Sequence, residues 1–325
     1  MGFIDTLQLS LGRSTKFMLA GLVASGIMVY FTRRSSIHKT IFKLIQSQWE
    51  KCASIQLLDT LQSFHDQKDL MFLVKEARGV SKKPMNIGPS AKPNIDPFMP
   101  PFETGMHIYD FGSTHRLLFN KFPMTKFHLL VVTQQFERQD EQLNQKDFEY
   151  TLTAMRSLQG YTFFNSGLEA GASQKHKHLQ VLPREIGVSP PVLSHLEELA
   201  EEQPETIFTL PQYDFLHLIK SFCANLDSYS DAEGGKLIHN CYQELAAKLQ
   251  IFERDLRYNM IVGKNFMLMV PRSKSHAYDH IDLNGMGFLG SFFLKNPEAV
   301  EIFNEVGPLN LLKEVAFPTN YLQSA

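Results

Sequence analysis

The stretch Asn165-Ser-Gly-Leu-Glu-Ala-Gly-Ala-Ser-Gln-Lys-His-Lys-His-Leu-Gln180 decides how this chain is read. Its first part, Asn165 to Gln174, is small and polar, so Gly167, Gly171 and Ala172 let backbone amides come close to a phosphate, while Ser173 adds a hydroxyl donor. Its last part alternates. On a strand the side-chain period is two, which puts His176, His178 and Gln180 on one face and Lys177, Leu179 and Val181 on the other. A neutral imidazole attacks phosphorus without first losing a proton, and the phosphoramidate it forms passes its group on readily. One ring nitrogen must then face the phosphorus, and the other must be held by a hydrogen bond that fixes the tautomer. Gln180 supplies an amide donor for charge growing on a phosphate oxygen. A bare His-x-His is more often the polar face of an exposed strand, and it can also ligate zinc. Neither use requires the glycine-rich loop or Gln180, and no carboxylate or thiol partner stands nearby in the sequence.

Outward from this stretch, short aromatic and β-branched runs at His107–Phe111, His115–Phe119 and Phe127–Thr133 predict antiparallel strands. Lys146–Leu158 predicts a helix ended by Gly160, Tyr161–Phe164 a strand, and His176–Leu182 another. A polar, Pro-broken insertion runs to about Pro211. Beyond it, Leu237, Cys241, Leu245 and Leu249 share one face of a predicted helix over Lys236–Gln250. Strands at Tyr258–Val262 and Phe266–Val270 flank Gly263-Lys264-Asn265, a hairpin connection. Upstream, Ile41–Leu61 has helical apolar spacing and Arg78–Pro101 reads as loop. Runs of strands with helices between them, rather than regular strand-helix alternation, favour an α+β fold. Arg272, Lys274 and His276, after the last strand, suit either a phosphate contact or a solvated strand end, and Tyr258-Asn259 reads as a strand entry.

Hydrophobic residues make up 43% and charged residues 20% of the 325 residues, ample material for a core larger than one minimal domain. The formal net charge of -2 argues against a nucleic-acid partner, whose phosphates call for an excess of Lys and Arg. A free nucleotide needs only a few local cations. Cys52, Cys223 and Cys241 are too scattered for a zinc site or a disulfide framework, which implies a reducing compartment. The N-terminus departs from this picture. Phe17–Phe31 is an uninterrupted apolar run closed by Arg33-Arg34, though at ~1.5 Å per residue it falls short of a ~30 Å hydrocarbon core. It reads as a membrane anchor, a targeting segment or a helix docked on the body. As an anchor, with Arg33, Arg34, Lys39 and Lys43 outnumbering Arg13 and Lys16, it leaves the body on the cytoplasmic side; a mitochondrial presequence is the alternative.

Several separated pieces together resemble one family. They are Ser81-Lys82-Lys83-Pro84, Leu118-Phe119-Asn120-Lys121-Phe122-Pro123, the Asn165–Gln180 stretch, Tyr258-Asn259, Val270-Pro271-Arg272-Ser273, and Asn284-Gly-Met-Gly-Phe-Leu-Gly290 through Lys295. In this order they resemble the fungal-type diadenosine tetraphosphate phosphorylases, or ATP adenylyltransferases, of the histidine-triad and galactose-1-phosphate uridylyltransferase superfamily. The resemblance runs from roughly Ile41 to the C-terminus. It implies a histidine-triad-like antiparallel sheet with flanking helices, in which two related units form one body. The expected domains are an N-terminal anchor or targeting segment over 1–40, a catalytic N-terminal domain over 41–210 and a C-terminal domain over 211–325.

By the same resemblance, His178 is the nucleophile that takes AMP, and Gln180 contacts its phosphate. Asn165, Gly171, Ala172, Ser173 and Gln174 line the nucleotide site, and His176 shares the substrate face. Lys83, with its neighbour Lys82 as the alternative, joins Asn120 and Lys121 in contacting substrate from the N-terminal part. Asn284, Gly285, Met286 and Lys295 do so from the C-terminal part, with Ser291 standing where the family commonly has Met. The implied reaction is phosphorolysis of diadenosine tetraphosphate to ATP and ADP, so the expected partners are diadenosine polyphosphates, ATP, ADP and inorganic phosphate. The expected cofactor is a divalent cation, Mg2+, bound with the polyphosphate, without protein metal ligands of its own. Two other readings remain open: a nucleotidyltransferase acting on a hexose 1-phosphate or a GDP-sugar, against which the lack of a Cys-x-x-Cys pair counts, and a membrane-tethered dinucleotide sensor without turnover.

Overall fold

Among the described residues, nine strands form one sheet in which every pairing is antiparallel, and its order shows the same unit used twice. The computed structural model describes residues 35–57, 60–77, 96–123, 125–184 and 189–323. The Phe17–Phe31 run and the segment bearing Lys82 and Lys83 lie outside the described residues. After β1 (Thr60–Gln67) and β2 (Leu70–Ala77), which belong to a smaller sheet, β3 (His107–Phe111) forms one edge of the large one. The first unit follows as β4 (His115–Phe119), β5 (Leu129–Thr133), helix α2 (Gln145–Leu158), β6 (Gly160–Asn165) and β7 (His178–Pro183). The second repeats that sequence as β8 (Ile207–Phe208), β9 (Leu218–Ser221), helix α4 (Asp231–Lys248), β10 (Arg257–Val262) and β11 (Phe266–Arg272).

The two units join edge to edge where β6 pairs with β10, from Asn165 opposite Asn259 to Thr162 opposite Val262. The sheet is therefore continuous, and the two related units make one α+β body. Their fourth strands also echo each other in sequence: His178-Leu-Gln-Val-Leu-Pro183 of β7 with the following Arg184 matches Phe266-Met-Leu-Met-Val-Pro-Arg272 of β11. Where the first unit carries His178 and Gln180, the second carries Phe266 and Leu268. The repeat thus carries the imidazole and the amide only in its first unit.

One face of the sheet packs against α2, α4 and helix α1 (Ser36–Trp49) through Leu117, Phe119, Val131, Leu179, Val181, Phe164, Met260, Met267 and Met269, all buried. Both α2 and α4 start at a capping box, Asn144 with Asp147 and Ser230 with Glu233, which satisfies amides the first turn leaves without partners. The opposite face is divided. Over the second unit lie helix α3 (Pro191–Glu202), the small sheet formed by β1, β2 and β14 (Ser291–Leu294), and helices α5 (Pro297–Val306) and α6 (Pro308–Val315), with a core that includes Phe266, Leu268, Val270, Phe288 and Phe292. Over the first unit lies a smaller apolar cluster of Phe98, Leu118, Leu130 and Val132, with Phe98 against the His178 ring.

Several boundaries differ from the sequence reading for local reasons. The helix expected over Ile41–Leu61 runs only over Ser36–Trp49, where Trp49 packs edge-on against Phe119 and Phe127. Leu57 and Leu61 are exposed, so their spacing marks no buried stripe, and Thr60 already begins β1. Phe127 has φ +60°, which a strand does not allow, and β5 accordingly begins at Leu129. The Pro-broken insertion contains α3, since Pro191 sits in the first turn where a missing N–H is harmless, and Val192, Leu193, Leu196 and Ala200 are buried beneath it.

Candidate active site

The segment 137–139 runs antiparallel beside 175–177. Lys177 N–H donates to Glu137 O at 2.8 Å, and Gln139 N–H to Lys175 O at 2.7 Å. This pairing carries the buried Gln139 side chain beneath His178. Its Oε1 accepts the His178 backbone N–H at 2.8 Å, while its Nε2 donates to Asn165 O at 2.8 Å and His178 O at 3.2 Å. One amide thus locks the start of β7 to the end of β6. The ring of His178 is fixed as well. Its Nδ1–H donates to the His176 carbonyl at 2.8 Å, so the lone pair of the neutral ring belongs to Nε2. Phe98 lies against the imidazole, ring centres 5.0 Å apart.

The period-two reading holds for side-chain direction. Leu179 and Val181 enter the helix-side core, and Lys177, also turned that way, meets Glu137 and Asp147. The first histidine, however, is a strut rather than an open contact. His176 Nδ1–H donates to Asp96 Oδ2 at 2.7 Å, and Nε2 faces Thr133 Oγ1 at 2.9 Å and Gln135 O at 3.1 Å. Only 2% of the residue is exposed, so the structure turns its ring to protein partners where the sequence suggested substrate. Burial alone would raise the Asp96 carboxyl, yet the His176 hydrogen bond, the Phe98 amide and the charges of His176 and His178 hold it below its ordinary value.

Gln180 Oε1 accepts from Nε2–H of buried His128 at 3.0 Å. Asn120 Oδ1 accepts the Phe122 amide at 3.0 Å, and its Nδ2 lies 3.3 Å from His128 Nδ1. Lys121 pairs with Glu103, and that hydrogen bond keeps the Glu103 carboxyl below its usual range.

The glycine loop works differently from the expected amide cradle. Gly171 N–H donates to Leu168 O at 2.8 Å and Ala172 N–H to Gly167 O at 3.0 Å, so those amides close turns within the loop. Gly171 is required for another reason. Its φ is +85°, and a Cβ there would stand 2.6 Å from Leu283 O, so the loop lies directly on the 283–285 segment. Asn165 Oδ1 fastens that contact by accepting from Gly285 N at 3.0 Å and from Asn259 Nδ2 at 2.8 Å. Asn284 Oδ1 accepts from Met286 N at 2.9 Å, and Met286 is buried against Tyr161. Hence Asn165, Gly171, Asn284, Gly285 and Met286, far apart in sequence, share one wall beside β6 and β7. Ser173 and Gln174 are half-buried in the same loop. Ser291 is buried at the start of β14, and Lys295, just beyond that strand, pairs with Asp282. Burial lowers the Lys295 ammonium below its ordinary value.

Arg272 is neither a phosphate contact nor a solvated strand end. It is 2% exposed, and its guanidinium donates to Val315 O, Lys274 O, Leu283 O, Ala170 O and Asn259 Oδ1. Burial lowers its pKa to about 9. Asn259 is likewise no mere strand entry, since its amide joins Asn165, Ala170 and Arg272. Sequence reasoning also passed over Asp96, His128 and Gln139, which reach the site only through the fold. Among the described residues, no group of three or more His, Cys, Asp or Glu side chains is arranged to hold a metal ion.

Comparison with known proteins agrees with this architecture. The chain is 28% identical over 236 residues to diadenosine 5',5'''-P1,P4-tetraphosphate phosphorylase 2 of Saccharomyces cerevisiae, covering 65% of this chain and 72% of that one. It is 27% identical over 252 residues to Protein APA1 of the same yeast, covering 69% and 76%. Among solved structures, yeast Ap4A phosphorylase Apa2 in complex with Ap4A superposes with a TM-score of 0.69 at 21% identity, covering 86% of this chain and 98% of that one. The complex of Apa2 with AMP gives the same TM-score at 22% identity, covering 86% and 97%. Family models match in two consecutive parts, the Ap4A phosphorylase N-terminal domain over residues 32–197 and the ATP adenylyltransferase C-terminal domain over 211–318. Together they span most of the described body, and the chain belongs to the Ap4A phosphorylase family of ATP adenylyltransferases.

Proposed function

We propose that this protein phosphorolyses diadenosine tetraphosphate through an AMP-histidine intermediate on His178. The observation that carries the reading is the His178 ring, held with its proton on Nδ1 by the His176 carbonyl, on the same strand face as Gln180. Nε2 attacks the α-phosphorus of one adenylate, the Nε2–P bond forms, and the bridging P–O bond to the β-phosphate breaks, so ATP leaves with that oxygen. An oxygen of inorganic phosphate then attacks the same phosphorus, the N–P bond breaks, and ADP is released with the ring restored. Atoms balance as Ap4A and phosphate becoming ATP and ADP.

The hydrogen bond from buried His176 to Asp96 keeps the carbonyl that orients the nucleophile in place, and Gln139 fixes the backbone beneath it. Gln180 donates to a nonbridging phosphate oxygen as charge builds there. Lys121 and Lys295, each now paired with a carboxylate, are the cations proposed to turn to the polyphosphate. A divalent cation, Mg2+, would enter with the substrate and screen its charge. The apolar run Phe17–Phe31 is proposed to tether this activity to a membrane, with the body on the cytoplasmic side. Arg33-Arg34 closes the run, and the family match begins only at residue 32.

The test follows ATP and ADP by chromatography after incubation with diadenosine tetraphosphate, with and without phosphate, alongside His178→Gly. Both products should appear only with phosphate and vanish in the variant. Tight binding of the dinucleotide with no product from the wild-type chain would sink the reading and leave a nucleotide-binding protein.

A further inference from the structure

We infer that His128 is a positioning residue that sets the direction of the Gln180 side-chain amide. The inference rests on the reading above only in assigning Gln180 to the transferred phosphate; the orientation itself follows from the hydrogen bond between the His128 ring and the Gln180 amide oxygen. The Asn120 amide beside the ring is fixed by a backbone amide, which can only donate. Phe122 N–H points to Asn120 Oδ1 at 3.0 Å. The other end of the Asn120 amide, Nδ2, is therefore the end that faces the His128 ring, 3.3 Å from Nδ1 and 3.4 Å from Nε2. At these nearly equal distances the Asn120 donor lies against the ring rather than in line with one lone pair, so it selects neither nitrogen; the tautomer is set at the other contact, where Gln180 Oε1 can only accept and the neutral ring therefore carries its proton on Nε2. Nε2–H in turn meets Gln180 Oε1 at 3.0 Å. With its oxygen engaged, Gln180 turns its NH2 group the other way.

Direction matters because a glutamine amide has an acceptor at one end and donors at the other. Presented oxygen-first it repels a phosphate, and presented nitrogen-first it stabilises the charge that grows during transfer. The surrounding fold allows this control. His128 stands two residues before Leu130, the cross-strand partner of Gln180, so the period of two brings His128 to the face that bears Gln180. His128 is 3% exposed, so water does not compete for its ring N–H. Thr162 Oγ1 holds the Gln180 backbone carbonyl at 2.7 Å, so the side-chain amide is what remains to be set.

A double-mutant cycle on the full chain tests the proposal. His128→Leu should lower kcat about tenfold while KM stays within about threefold, and His128→Gln, whose amide N–H reaches the place of Nε2–H, should recover most of the loss. In a Gln180→Ala background, His128→Leu should add little, because the group it orients is gone. A full additional loss in that background, or wild-type kcat in His128→Leu, would overturn the proposal. A second readout stands apart from turnover. Long-range 1H–15N NMR of the wild-type chain should show the Nε2–H tautomer for His128, and an Nδ1–H tautomer would refute the donation to Gln180 Oε1. If that tautomer is found in a chain that makes no ATP or ADP, the phosphorolysis reading fails while the orientation stands.

Discussion

Arg272 is a guanidinium taken almost wholly out of water, and its hydrogen bonds all go to neutral oxygens: four carbonyls and the Asn259 amide. Such a charge is tolerated only because a planar fork of five N–H groups can satisfy several acceptors at once. The acceptors come from the glycine loop, β10, the Lys274 and Leu283 segments and the end of α6, so one side chain gathers the wall that Asn165 and Gly285 complete. Arg272→Lys keeps the charge and loses the fork. It should destabilise the fold by about 2–4 kcal/mol, since buried carbonyls are left without donors, and should raise KM for the dinucleotide more than it lowers kcat. Denaturant unfolding together with steady-state kinetics checks both, and an unchanged midpoint would show that the acceptors find other donors. Residues of this kind explain what the sequence left hidden. The shared strand face of His178 and Gln180 was legible because strand alternation is local. Gln139, His128 and Asp96 bond to the strand across 39, 52 and 80 residues, and nothing in their own neighbourhoods announces it.

Between elements the same contrast appears. His107–Phe111 and His115–Phe119 were readable to the residue, as was the hairpin at Gly263-Lys264-Asn265, because turn residues bracket short apolar runs. The small sheet of β1, β2 and β14 was not, since β14 pairs in parallel with a strand more than two hundred residues earlier. The approach to β9 makes a prediction of its own. His217 is 2% exposed; Nδ1–H donates to Phe215 O and Nε2 accepts Leu210 N–H, both at 2.8 Å. Burial pushes its pKa down from 6.5 to about 4. The folded state therefore binds this proton less readily than the unfolded chain. Its contribution is fully present above about pH 6.5 and is lost progressively as pH falls towards 4, by up to about 3 kcal/mol. Calorimetry from pH 7 to 4.5 should show the wild type losing stability faster than His217→Gln, which keeps an acceptor but does not titrate. Parallel curves for the two proteins would remove His217 as a source of acid sensitivity.

At the scale of the whole molecule, the question is where the folded body begins. Ile41 and Ile45 of α1 are wholly buried against the helix face of the large sheet, and His38 meets Asp231 at the first turn of α4, with Nε2 to Oδ2 at 3.0 Å. Helix α1 therefore bridges the two units: Asp231 also takes Thr153 and Arg156 of α2. Truncation should divide sharply at this helix. A chain starting at Ser35 keeps every contact named for the site and should match the full chain in Tm and in ATP formation. One starting at Cys52 loses the burial of Ile41 and Ile45, about 1.5–3 kcal/mol for each side chain, along with the His38–Asp231 bond, and should unfold at a markedly lower temperature. The same pair of chains tests the proposed tether. In cell fractionation the full chain should sediment with membranes and the Ser35 chain should stay in the supernatant. Equal partitioning of the two would refute the tether and leave the catalytic body's own boundary, at α1, untouched.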